Sequence, residues 1–148
     1  MDNREEGLIE IYERIKAKRL ELGLVSFKRT PTSPSELDDL PCVFMTEGID
    51  PIRKHSNRNA SGYPAQRVLE VELELVVNKT ITPIKNLAMD LRKAVFTVKN
   101  SNPEEYSVRV AENVFIQENR TEGPIGYGLP DIEVMRLILN LNYIDGGF

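Results

Sequence analysis

From Arg67 to Val77 the chain reads RVLEVELELVV, with Leu69, Val71, Leu73, Leu75 and Val77 on one parity and Glu70, Glu72 and Glu74 on the other. A helix does not sort residues this way, because its faces repeat about every 3.6 residues, whereas successive strand side chains point to opposite faces. The segment predicts a strand with one face in a core and the other wet or against something polar. A second alternation sets Met135, Leu137, Leu139, Leu141 and Tyr143 against Arg136, Ile138, Asn140 and Asn142. It predicts a last strand over about 132–143, a neighbour or near neighbour of the first.

The remaining patterns surround these strands. Leu8, Ile11, Tyr12, Ile15 and Leu22 recur at helical steps, predicting an amphipathic helix over about 3–22 with Asp2 or Asn3 as its cap and Gly23 as its left-handed stop. Ile84, Leu87, Ala88, Leu91 and Val95 predict a second helix over about 82–96, capped by Thr82 with Pro83 at its first position. Short strands are expected at 24–28 and in PCVFMTEGI, and one or two more between Tyr106 and Gln117, turning at Glu112 and Asn113. Polar, proline- and glycine-bearing sequence predicts an exposed loop at about 50–66, a connection at about 119–131 and a flexible tail at 144–148. At 148 residues, with 41% hydrophobic and 28% charged composition, the chain suits a single domain with one core. Without regular βα alternation, the expected fold is α+β: a mostly antiparallel or mixed sheet with two helices on one face.

Catalytic and metal chemistry find little support. His55 is the only histidine, set among Lys54 and Arg58, and the only cysteine, Cys42, lies in an apolar run as a packed residue would. One Cys and one His do not make a zinc site. Asp38/Asp39 and Glu104/Glu105 sit in turn-like sequence, and Gly126-Tyr127-Gly128 lacks the lysine and helix start of a phosphate loop. The expectation is a non-enzyme without cofactor. No apolar run is long enough to cross a bilayer, and the charged amino-terminal segment does not suit secretion, so synthesis in a cytoplasm is expected.

Charge is distributed unevenly within a net of −4. Pro51 to Arg67 holds Arg53, Lys54, Arg58 and Arg67, with Tyr63 and no acid, and Glu70, Glu72 and Glu74 follow directly. The cations and tyrosine are the parts of a nucleic-acid-binding accessory domain using the basic loop 51–67, but the adjacent acidic strand face would repel a phosphate backbone. A cationic loop and an anionic face also suit two copies of one protein pairing head to tail in a ring.

The order of these elements, from the amphipathic helix through RVLEVELELVV and the capped helix to a final strand ending LNLNY, resembles the tail terminator proteins of long-tailed bacteriophages over about residues 8–143. The neighbouring neck and tail-completion proteins share the same coarse pattern. The resemblance implies a virion protein of the tail-neck region, assembled in the host bacterial cytoplasm. It implies a homohexameric ring that caps the tail tube protein, stops its polymerisation and meets the head–tail connector or stopper. DNA would pass through the lumen without specific binding. Carried over, Glu70, Glu72 and Glu74 would face the lumen or the next subunit. Arg53, Lys54, Arg58, Tyr63, Arg67 and, in the loop at 122–131, Tyr127 would be axial or intersubunit contacts. No membrane association is implied.

Overall fold

The computed structural model describes residues 3–29, 40–48, 52–55, 65–96, 107–111, 114–126 and 131–145. In chain order these form α1 (Asn3–Ala17), α2 (Arg19–Leu22), β1 (Ser26–Lys28), β2 (Cys42–Glu47), β3 (Ile52–His55), β4 (Ala65–Asn78), α3 (Ile84–Phe96), β5 (Ser107–Ala111), β6 (Val114–Gly126) and β7 (Ile132–Asp145). The seven strands make one mixed sheet in the order β1-β2-β4-β7-β6-β5, with β3 also on β4. Only β1 and β2 run parallel; every other pair is antiparallel. The expected α+β fold is therefore the observed one.

The two alternating segments are the centre of the sheet and pair directly, from Ala65↔Asp145 to Asn78↔Ile132 without a break in register. Fourteen residues per strand make a ribbon roughly 45 Å long at about 3.3 Å per residue. Leu69, Val71, Leu73, Leu75 and Val77 point to one face and are fully buried with Leu137, Leu139 and Leu141. The helices cover that face. α1 contributes Leu8, Ile11 and Ile15, and α3 contributes Ile84, Leu87, Ala88, Leu91, Val95 and Phe96, to the same core. Burying each such side chain contributes about 1.5–3 kcal/mol, which is why both helical stripes turn inward.

Polar contacts lock the helices in place. Arg14 donates to the Val95 carbonyl at the end of α3 (2.7 Å) while pairing with Glu10 (2.8 Å), so one side chain satisfies an orphan carbonyl of the neighbouring helix. Arg92 on α3 meets Glu118 on β6 at 2.7 Å, both about four-fifths buried. At the other end of α1, Arg4 and Arg29 share Glu47 at 2.7 and 3.1 Å, and Arg29 also reaches Glu5. Tyr12 stacks on Phe27 of β1, ring centroids 5.0 Å apart.

Several expected boundaries shift. The first helix is two segments, because Lys18 donates to Ile15 three residues back and leaves helical geometry before α2 begins. Gly23 is the left-handed stop as expected (φ 70°), with Leu24 N–H closing on the Arg19 carbonyl. The Asn3 side chain donates to the Ile144 carbonyl at 2.7 Å, and Asp2, the other expected cap, lies outside the described residues. α3 closes its first helical bond from Leu87 to Pro83, so it starts slightly later than a Thr82 cap would set.

Three expected irregular segments are partly strand. The loop placed at 50–66 contains β3 and the first residues of β4, because backbone pairing Ile52↔Arg67 and His55↔Ala65 replaces the side-chain periodicity the sequence lacks. The connection placed at 119–131 is strand through Gly126: two register shifts, at Glu118/Arg120 and Glu122/Ile125, absorb the residues that break alternation. Gly123 makes the second possible, since at φ 97° a Cβ would lie 2.8 Å from the Val134 carbonyl oxygen. The tail placed at 144–148 begins as strand, with β7 reaching Asp145. The segment between Tyr106 and Gln117 holds two strands, β5 and the start of β6, paired antiparallel as far as Ala111↔Val114, while the turn expected at Glu112 and Asn113 lies outside the described residues.

Two substitutions test this packing. Leu73→Ala should cost about 2–5 kcal/mol through the cavity it leaves, read as a lowered urea midpoint; wild-type stability would mean that the strand parity is inverted. Gly7 faces Leu141, whose methyl a Cβ would overlap, and would sit 3.0 Å from Val114 Cγ1. Alanine gains about 1 kcal/mol of helix propensity but overpacks by about 1–3 kcal/mol. Gly7→Ala should therefore be neutral to destabilising, and Gly7→Val clearly destabilising in thermal melts.

Candidate assembly surface

Glu70, Glu72 and Glu74 lie on the sheet face away from the helices, as alternation requires. Which residues stand beside them depends on register. Glu74 is opposite Arg136, which is opposite Glu122; Glu72 is opposite Ile138, which is opposite Arg120; Glu70 is opposite Asn140. Thr46 of β2 flanks Glu72 on the other side.

The result is a charge ladder rather than an acidic stripe. Arg136 Nε lies 3.1 Å from Glu74 and 3.3 Å from Glu72, bridging two carboxylates on one strand. Arg120 lies 3.2 Å from Glu70 and 3.6 Å from Glu122. Asn119 donates to Glu70 (3.3 Å) and Asn140 (3.1 Å), and the Thr46 hydroxyl donates to Glu72 (3.3 Å). Four carboxylates thus meet two guanidiniums in this ladder, leaving an excess of two negative charges. In the middle, Ile138 is only 3% exposed, with Glu72 and Arg120 opposite it on either side.

The ladder holds its cations firmly. The Arg136 guanidinium is raised above its ordinary value first by its hydrogen bond to Glu74, with the charges of Glu74, Glu72 and Glu122 adding and partial burial opposing. Arg120 is raised likewise, first by its hydrogen bond to Glu70. A raised pKa means that the stability these pairs contribute is present at neutral pH and lost only as pH climbs through those raised values.

The sequence-predicted cations are placed differently. Arg67 stands opposite Tyr143, on the parity of Leu69, and so faces away from Glu70, Glu72 and Glu74. Arg53 and Lys54 belong to β3, which runs along the first residues of β4 on the same edge as β2. Arg58, Tyr63 and Tyr127 lie outside the described residues. Arg120, Arg136, Asn119 and Glu122 were not among the sequence candidates. Arg136 sat visibly on the polar parity of the last strand, but its pairing needed the β4–β7 register, and the bulge at Glu118/Arg120 conceals Arg120 from any parity argument.

Other features do not converge on chemistry. An open groove of about 370 Å³ between α2 and α3 is lined by Lys18, Glu21, Leu22, Asp90, Lys93 and Ala94, with no histidine, cysteine, serine or threonine among them. Among the described residues, no three His, Cys, Asp or Glu side chains gather to hold a metal, and no helix is long and apolar enough to cross a membrane. Cys42 is buried in a small cluster with Phe44, Val76, Ile132 and Val134.

No protein-family model matches this chain, and no curated protein does. Among solved structures it aligns with a chain from the virion of a native gene transfer agent particle, at a TM-score of 0.53, covering 91% of this chain and 92% of that one. The fold is shared with a virion component. At 12% identity the likeness is one of architecture, and it spans nearly both chains end to end.

The ladder makes a modest energetic prediction. Arg136→Met keeps the apolar stem but removes both pairs and leaves Glu72 and Glu74 adjacent. It should cost about 0.5–1 kcal/mol at low salt, as half-exposed pairs do. The cost should shrink in ~1 M salt, read as converging urea midpoints for variant and wild type.

Proposed function

We propose that this chain is a structural component of a phage-like virion, acting as a tail terminator: a ring that caps the tail tube, stops its polymerisation and joins the tail to the head connector. The observation that carries the reading is the near end-to-end agreement in fold with a virion component. The order of helix, alternating strand, helix and final strand, on which the resemblance to tail terminators rests, adds to it. The reading treats the chain as a non-enzyme without cofactor, working by shape and contact.

The two ends of the sheet suit such a role. The β3–β4 hairpin lies at one end. At the other end, where β4 finishes and β7 begins, Ile81 and Ile125 are 77% and 51% exposed, and Val25 is bonded to the start of β2 there and 43% exposed. In a ring with its strands along the axis, this apolar end would meet the tube protein, and the polar sheet face would serve contacts between subunits or line the path of the DNA.

Light scattering of the purified protein over a range of concentration and salt, with negative-stain images, tests the ring. The expected result is a closed species of about six subunits. Added to polymerising tube protein, it should shorten the tubes and decorate one end. A chain that stays monomeric and leaves tube length unchanged would overturn the reading. Salt-sensitive binding to single-stranded DNA in that event would favour the nucleic-acid alternative.

A further inference from the structure

We propose that the open edge of β6 receives an extended, basic segment of the tail-tube protein as an added strand over residues 118–122; the inference rests on the tail-terminator reading and names its contact. β7 pairs with β6 from Val114 to Gly126, but β5 pairs only with Val114 to Gln117. Beyond Gln117, among the described residues, β6 has a neighbouring strand on one side alone. Six of its last nine residues are exposed and none is buried. On such an edge the outward N–H and C=O groups are bonded by water and are open to a further strand. β5 shows that this side of β6 takes an antiparallel partner, and residues 118–122 continue the same row.

The edge restricts what it takes. The register shift between Glu122 and Ile125, with Pro124 lacking an N–H, ends regular pairing after Glu122. Arg120 and Glu122 stand on the ladder face, so alternate side chains of an added strand would lie beside four carboxylates and two guanidiniums. Glu122, 44% exposed, is the carboxylate nearest the open edge, and a Lys or Arg set opposite it offsets the negative excess. Past the shift, Ile125 shares that face with its partner Val134 and is half exposed, an apolar rest at the end of the sheet assigned to the tube protein. A second copy fits this edge poorly. Its own β6 would set two net-negative ladders side by side, and β1 and β3, at the opposite side of the sheet, have three and four residues.

Hydrogen exchange of the full chain, alone and on tubes of the tail-tube protein, tests the contact when read to single residues. Amides of 118–122 that point away from β7 should exchange readily in the free protein and at least ~10-fold more slowly on the tube, while those bonded to β7 change little. Capping without that protection, or protection spread evenly over 118–126, would overturn the added strand and leave the terminator reading standing. Protection that grows with protein concentration in the absence of tube would assign the edge to a second copy and overturn the tube as its source. Failure to cap would remove both. Glu122→Lys, shown by circular dichroism and melting to be folded, should bind tube ends at least ~10-fold more weakly at low salt, since a cation now faces the basic segment. Wild-type binding by that variant would overturn the segment's basic character. If the lysine prevents folding, Glu122→Gln takes its place and must weaken binding; unchanged binding would again overturn it.

Discussion

The unbroken pairing of β4 with β7 is the constraint on which the rest depends. Because no residue is inserted along it, every odd position of β4 from Leu69 to Val77 falls in the core and every even position from Glu70 to Glu74 falls on the polar face. A slip of one residue would exchange the two sets and bury three carboxylates. The helices, the charge ladder and the placement of β2 and β6 all inherit this register. Irregularity is tolerated further out, where β6 shifts register against β7 twice and β3 and β5 each shift once against their neighbours.

That division explains what could be read from residues alone. The helix stripes, both central strands and the α+β class were legible because burial imposes a period, and Leu69 to Val77 or Ile84 to Val95 display it openly. β3 was not legible, because backbone pairing at a sheet edge leaves no apolar pattern in IRKH. The continuation of β6 through Gly123 and Pro124 was hidden by residues that ordinarily end strands and here sit in a bulge. The acidic parity of β4 was apparent, but its neutralising partners come from 50 and 62 residues away and depend on register rather than spacing. Reading one strand in isolation therefore overstated the negative charge of that face.

The ladder also bears on how a polar face can belong to an assembly. Bare charges resist burial because water must be stripped from each one, and the loss often matches the attraction gained. Here much of that hydration is already replaced by contacts within the chain, with each guanidinium shared by two carboxylates. The buried Ile138 beneath them shows that charged side chains can pack as well as solvate.

The edge of the sheet has a different consequence. β1 is three residues long and is the parallel strand in an otherwise antiparallel sheet, so among the described residues it presents only a short row of free backbone groups. Such an edge is a poor template for further strands. On the proposed ring reading, an edge of this kind has a use: copies held by matched surfaces can be counted, whereas copies added strand by strand have no built-in stopping point.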